Sequence, residues 1–337
     1  LMQPIIEDAK KDPQRVIYAE GENENILRAV QAAIDENMIK ATLVGRPDII
    51  ERNIEKLGLR LKRDVDYSVV NPQQDDRYNE FWQTYHKLVG RKGVSVEAAR
   101  TILRTNTTVI AAMAVKLGYQ DAMICGTYGR FDFHIRYIID IIGRKTPSQK
   151  ISTVSVLILP QQTLFITDAF MDIDPTAEQI VESTIAASRQ VELFGIKPKV
   201  ALLSHSNFGS SKAPSALKMQ KAVKILRERM PSLEVDGEMH ADAALNEKLR
   251  NDMITDCALN GAANLLIFPS LDSANSALGL VKSVEHGLLV GPILLGAAMP
   301  AHIVTPGVSA RGILNMTAIA VKDAQNLQKE KAHQWPL

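Results

Sequence analysis

Two rhythms of apolar and polar positions alternate along the chain. Short runs rich in Val, Ile and Leu, the pattern of buried strands, are separated by longer stretches whose apolar residues recur three and four apart, the spacing of one helix face. In the first half, Arg15 to Ala19 predicts a strand and Glu24 to Asn37 a helix with Ile26, Leu27, Val30 and Ile34 on one face. Strand Ala41 to Val44 and helix Pro47 to Leu57 follow, with proline at the helix start where its missing N–H costs little. Then come strand Tyr67 to Val70, helices around Tyr78 to Leu88, Ser95 to Leu103 and Thr107 to Leu117, and strand Asp121 to Cys125. Ser95 is placed to start its helix, but a capping box would need Glu or Gln where Ala98 stands.

Gly143-Arg144-Lys145-Thr146-Pro147 interrupts the pattern, and a second series starts after it. Thr153 to Leu159 and Thr163 to Asp168 read as adjacent strands joined by a Pro-Gln-Gln turn. Asp174-Pro175-Thr176 opens a long helix to Phe194, followed by strand Val200 to Ser204, helix Ala216 to Arg229, strand Ala263 to Phe268, helix Ser273 to Glu285 and strand Leu288 to Leu295. A final helix, Ala310 to Leu327, turns Ile313, Met316, Thr317 and Ala320 to one side. Strands alternating with helices predict an α/β protein built from βαβ units on mainly parallel sheets.

Composition narrows the partners. The chain of 337 residues is 46% hydrophobic and 23% charged, enough apolar material for two cores. Lys and Arg (39) nearly cancel Asp and Glu (38), so no global field favours nucleic acid or an anionic membrane. No apolar run reaches the length of a membrane span and no charged-then-apolar leader is present, so a soluble protein is expected. Cys125 and Cys257 lie far apart in or beside apolar segments, which predicts free, buried thiols and fits a reducing cytoplasm. The opening Leu1-Met2 leads directly into an amphipathic pattern, as in a segment of a longer polypeptide or one beginning at a cloning scar.

Three loops could carry chemistry. Ser204-His205-Ser206-Asn207-Phe208-Gly209-Ser210-Ser211-Lys212 follows an apolar strand and precedes a helix, the setting of a phosphate cradle, with a solvated strand-to-helix turn as the alternative; the missing GxxxxGK[ST] spacing argues against a nucleotide hydrolase. Gly126-Thr127-Tyr128-Gly129-Arg130 leaves another strand end, and Arg136 beyond it is either a bidentate phosphate ligand or half of a surface ion pair. Tyr18-Ala19-Glu20-Gly21-Glu22-Asn23 is a third such turn. His134, His205, His240 and His286 lack metal-ligand spacing, and no metal site is expected.

In their order along the chain, Ala19-Glu20-Gly21-Glu22, Asp121 to Gly126, Pro175 to Gln179, Phe194-Gly195-Ile196, the Ser204 loop, Asp236-Gly237 with Asp242-Ala243-Ala244, Phe268-Pro269 and Gly291-Pro292 resemble the phosphate acetyltransferase/butyryltransferase family. Within it, Ala201 to Ser211 and Asp236 to His240 resemble most closely the branch fused C-terminally to NADP-dependent malic enzymes. The resemblance implies two doubly wound α/β domains with a cleft between them, like isocitrate and isopropylmalate dehydrogenases. The first would comprise residues 1–145 and 297–337, the second residues 146–296, with a homodimer or larger homo-oligomer formed mainly through the second. A nicotinamide-linked dehydrogenase of related fold is the remote alternative; no GxGxxG turn supports it, though that fold does not depend on one.

In an active member of the family, a Ser-Arg-Gly-Cys stretch supplies an arginine to the acyl phosphate and an aspartate shortly after it takes the CoA thiol proton. Anchored on Ile313 to Ile319, those positions fall on Thr305-Pro306 and on Gly312, and Gly129-Arg130-Phe131 replaces an Asn-Thr-Thr turn. The resemblance therefore implies no catalytic pair, Pro306 and Gly312 standing in its place. It implies CoA-ester or phosphate binding through Arg136, Thr127, Ser204, Ser206, Gly209, Ser210, Ser211, Arg311 and Asn315. The expected function is a regulatory, oligomerising domain with acetyl-CoA as allosteric inhibitor and no cofactor of its own. NADP and a divalent metal would belong to an N-terminal malic-enzyme part that converts malate to pyruvate. An active phosphate acetyltransferase is the alternative.

Overall fold

A computed structural model describes residues 1–146 and 150–333, the side chain of residue 333 excepted. The chain divides into two compact units, Leu1–Pro147 with Ala297–Leu337, and Ser148–Gly296. Pro147 of the predicted break lies outside the described residues.

The first unit opens with α1 (Gln3–Lys11), β1 (Gln14–Tyr18), α2 (Glu24–Asp35), β2 (Ile39–Val44), α3 (Pro47–Lys56), β3 (Tyr67–Val70), α4 (Tyr78–Val89), α5 (Val96–Thr105), α6 (Thr107–Lys116), β4 (Ala122–Cys125) and α7 (Phe131–Ile141). The second contains β5 (Ser152–Ile158), β6 (Thr163–Thr167), α8 (Ala177–Leu193), β7 (Lys199–Leu203), α9 (Pro214–Arg229), β8 (Glu234–Met239), α10 (Ala241–Leu245), α11 (Glu247–Met253), β9 (Leu265–Ile267), α12 (Leu271–Val284) and β10 (Leu288–Leu295). The chain then returns to the first unit with β11 (Ala301–Ile303) and α13 (Ala310–His333).

In the first unit the strands run in the order β11-β4-β1-β2-β3, and every pairing is parallel. Such a sheet needs cover on both faces, which is why Val16, Ile17 and Tyr18 in β1 and all of β4 are buried without alternation. Helices α6 and α13 both pack on β1 and β4, and the Tyr18 hydroxyl meets Thr317 Oγ1 of α13 at 2.9 Å. Removal of an aliphatic side chain of this kind from water contributes about 1.5–3 kcal/mol. From β1 the chain winds outward through β2 and β3 and then crosses back to β4, which places a topological switch point between the carboxyl ends of β1 and β4.

The second sheet, β10-β5-β6-β9-β7-β8, is mixed. Strands β6, β9, β7 and β8 are parallel, whereas β5 runs antiparallel to both β6 and β10. The Pro160–Gln162 turn between β5 and β6, closed by the Leu159 N–H on Gln162 O at 2.9 Å, is too short for the crossover that parallel neighbours require. Its switch point lies between β7 and β9, because the chain passes outward from β7 to β8 before returning to β9. Arg250 is wholly buried beneath this region. Its guanidinium donates to the carbonyls of Ala243, Ala244, Leu259 and Gly261 at 2.7–3.4 Å, fixing α10, α11 and the segment leading to β9.

Candidate functional site

At the first switch point three turns converge: Ala19 to Asn23 after β1, Gly126 to Arg130 after β4, and Val304 to Ser309 after β11. Gly126 has φ +102°, and a Cβ built on it would lie 2.3 Å from Val304 O, so the turns after β4 and β11 touch through a position that requires glycine. Glu20 lies at the centre. Its buried carboxylate accepts the Gly126 N–H at 3.1 Å through either oxygen, the Thr127 N–H at 3.4 Å and the Thr127 hydroxyl at 3.3 Å. Burial pushes its pKa up to about 7 against the opposing pull of those donors, so the carboxyl can hold or release a proton near neutrality. The N–H groups of the turn are thus already engaged by a group of the protein.

His134 on α7 fixes the same turn. Its Nε2 meets Tyr128 O at 2.6 Å, which requires a proton on Nε2, and its Nδ1 then accepts from the Thr108 hydroxyl at 2.8 Å. Burial lowers its pKa, consistent with a neutral, structural ring. Two residues further along α7, Arg136 is exposed and has no ion-pair partner among the described residues, and Arg311 at the start of α13 has the same standing. Asn315 is 4% exposed, and its amide has no hydrogen-bond partner among the described residues. Gly312 donates its N–H to Ser309 Oγ at 3.1 Å, and a Cβ there would lie 2.8 Å from Val308 Cγ2. Pro306 is exposed in the turn before it.

At the second switch point the Ser204 loop folds around another carboxylate. Glu238 Oε1 accepts from the Ser206 hydroxyl at 2.6 Å, the Gly209 N–H at 2.8 Å and the Gln220 amide at 3.1 Å. Although burial raises the pKa of this group, the donors outweigh it and hold the carboxyl below its usual value. The other loop N–H groups turn inward as well. Ser211 N–H reaches Ser206 Oγ at 2.9 Å, Asn207 N–H reaches Ser210 Oγ at 3.0 Å, and Phe208 N–H reaches Glu238 O at 2.8 Å. Phe208 at φ +49° and Gly209 at φ +92° supply the left-handed turn that brings these donors round. The loop is therefore a nest with an internal occupant: Ser204, Ser206, Gly209, Ser210 and Ser211 come together, largely on each other and on Glu238.

Residues 1–321 match the family model described as phosphate acetyl/butaryl transferase. The chain belongs to that family. Relatives with the family's domain include an NAD-dependent malic enzyme of Rhizobium meliloti, 50% identical over 97% of this chain and 42% of its own length. An NADP-dependent malic enzyme of Escherichia coli is 44% identical over 96% of this chain and 43% of its own length. The chain thus spans less than half the length of these relatives. Among solved structures, a phosphotransacetylase from Streptococcus pyogenes superposes with a TM-score of 0.87 at 26% identity, covering 97% of this chain and 99% of that one.

Thr127, Arg136, Pro306, Arg311, Gly312 and Asn315 belong to the first unit, and the serine loop to the second. Sequence reasoning passed over the two carboxyls that organise the turns. Glu20 sits two residues past β1, after the buried run Val16 to Ala19 and before a glycine whose Cβ would meet Leu43 Cβ at 2.7 Å, so the turn is tightly packed around it. Glu238 was hidden by its own strand, whose buried carboxylates make it read as a loop. Among the described residues no group of three or more His, Cys, Asp or Glu could hold a metal ion. Both cysteines are free, Cys125 buried and Cys257 half-buried.

Proposed function

We propose that this chain is a regulatory domain that binds a CoA ester, acetyl-CoA foremost, without efficient turnover, and that it acts fused to a malic-enzyme part outside the chain. The observation that carries the reading is the pair Pro306 and Gly312. Neither offers a cation for developing charge nor a proton acceptor for a thiol, and Val308 already fills the space an aspartate Cβ would need at Gly312. Arg136 and Arg311 remain open to anions in the first unit; Ser204, Ser206, Gly209, Ser210 and Ser211 are the proposed contacts in the second, with Thr127 and Asn315 as polar supports. Malic-enzyme relatives of more than twice this length support the fusion. Malate oxidation to pyruvate, the divalent metal and the choice between NAD and NADP are assigned to the missing part, the whole acting in the cytoplasm. A ligand that favours one state of the fused protein by about 1–3 kcal/mol would inhibit malate decarboxylation by its downstream product.

Calorimetric titration with acetyl-CoA, run beside an assay of acetyl phosphate formation from acetyl-CoA and phosphate, tests the reading: saturable binding without turnover is expected. A second reading, an active phosphate acetyltransferase, is favoured by Glu20, whose near-neutral carboxyl could accept the thiol proton. Robust turnover abolished by Glu20→Gln would establish it and remove the first. The proposed homodimer forms through the second unit, where β10 is an edge strand and α12 exposes Leu280 and Val284.

A further inference from the structure

The turn after β4 is shaped to receive an anion and already holds a carboxyl of the protein's own. Gly126 and Thr127 direct their N–H groups, and Thr127 its hydroxyl, to one place between the strand end and α7. Glu20, 8% exposed, fills that place from the turn after β1. Its bonds are long, 3.1 Å to the Gly126 N–H and 3.3–3.4 Å to Thr127, against about 2.7–2.9 Å for a strong charge-assisted contact. The carboxyl is thus seated in the cradle without being gripped by it.

No ionised side chain offsets its burial. On β4 the neighbouring titratable group is the Cys125 thiol, which burial and Glu20 itself keep protonated. On β1 it is the Tyr18 hydroxyl, bonded to Thr317 of α13, and on α7 it is His134, neutral and held by Tyr128 O and Thr108. The turn after β11 offers Gly126 only the Val304 carbonyl, while Glu22 and Glu24 are paired with Arg46 and Lys56. Arg136 on α7 and Arg311 on α13 are exposed, and neither acts on Glu20.

The Thr127 hydroxyl has one proton to give. An anionic ligand that accepts it takes a donor from Glu20 and sets a like charge beside the carboxylate, and both changes favour the neutral acid. We propose that Glu20 is an internal competitor for this turn, and that a CoA ester engaging Thr127 draws a proton from solvent onto the Glu20 carboxyl. The inference rests on the CoA-ester reading and adds to it a coupling between ligand and pH. Because the free carboxyl titrates at about 7, the coupling falls near neutrality. The neutral acid is the form the ligand prefers, so affinity is full below about pH 6 and falls as pH rises. If the ligand moves the carboxyl from about 7 to about 8, affinity drops about tenfold by about pH 9.

Acetyl-CoA is titrated calorimetrically into the full chain at about pH 7.5 in Tris and in Hepes, buffers whose different ionisation heats report the protons exchanged. The native chain is expected to take up about half a proton per site more than Glu20→Gln, which has no acid to titrate. That variant should bind about tenfold tighter than the native chain at about pH 9 and equally at about pH 6. Infrared difference spectra supply a measurement that needs no variant: the native chain should gain the carbonyl stretch of a carboxylic acid when acetyl-CoA is added. Saturable binding with the same proton uptake in both chains, or without the new carboxylic-acid band, overturns the proposal and leaves the CoA-ester reading standing. Absence of binding at every pH overturns that reading, and the proposal falls with it.

Discussion

At the scale of single residues the molecule turns on two buried glutamates with opposite proton affinities. Desolvation prevails at Glu20 and hydrogen bonding at Glu238, although both accept backbone N–H groups of a turn. Glu20 has a folded pKa of about 7 against an ordinary value of 4.5, so between those limits the native state binds more protons than the unfolded chain. Its contribution is fully present below about pH 4.5 and is lost as pH rises through about 7, a swing of at most about 3 kcal/mol. Glu20→Gln, which mimics the neutral form, is therefore expected to raise the melting temperature at pH 8 and to leave it nearly unchanged at pH 4.5. Melting curves across that interval check the sign; equal effects at both ends would mean that folding does not shift this carboxyl. A single sequence does not reveal such a difference, because both residues stand in polar, glycine-containing stretches and only the surrounding chain decides how many donors reach each one.

At the scale of elements, alternating rhythm revealed most strands and helices, and β10 falls on Leu288–Leu295 as the apolar run predicts. Ser95 does cap α5, its side chain accepting the Ala98 N–H, while Thr176 and Gln179 form a full capping box at α8 that the pattern had left unnamed. Two strands escaped notice for different physical reasons. In β8, Glu-Val-Asp-Gly-Glu-Met, the carboxylates of Asp236 and Glu238 are buried and satisfied by neighbouring turns, so the strand reads as a loop. β11 has three residues, too few to show any period. The contact between β11 and β4 yields a second prediction. Gly126→Ala puts a methyl group against Val304 O at a positive φ, and a loss of about 3 kcal/mol or more in urea denaturation is expected. A loss below about 1 kcal/mol would show that the β4 and β11 turns separate easily.

Across the whole molecule, the division into two units makes stability a local property. Arg250 binds four carbonyls in the second unit, and its removal strands them in a dry interior; Arg250→Ala is expected to cost about 3–5 kcal/mol there. Hydrogen exchange should show protection lost in β7, β8 and β9 before it falls in β1 and β2, whereas Gly126→Ala should produce the reverse order. Uniform loss in either variant would mean that the units unfold together. For the proposed dimer, Leu280→Glu with Val284→Glu should shift sedimentation toward the monomer while leaving acetyl-CoA titration intact. An unchanged sedimentation coefficient would place any self-association elsewhere.

The first unit is written in two instalments, and the second is inserted between them. β4 waits for β11 until 175 further residues have been made, and β1 waits for the cover of α13 until 291 have. The inserted unit, complete once β10 emerges, is thus free to fold while its host remains an open sheet with an exposed apolar face, and the host closes last. A ribosome stalled once Gly296 has cleared its exit tunnel should therefore carry a protease-resistant second unit on a protease-sensitive first one, a period of vulnerability during which chaperones would be recruited to β1 and β4.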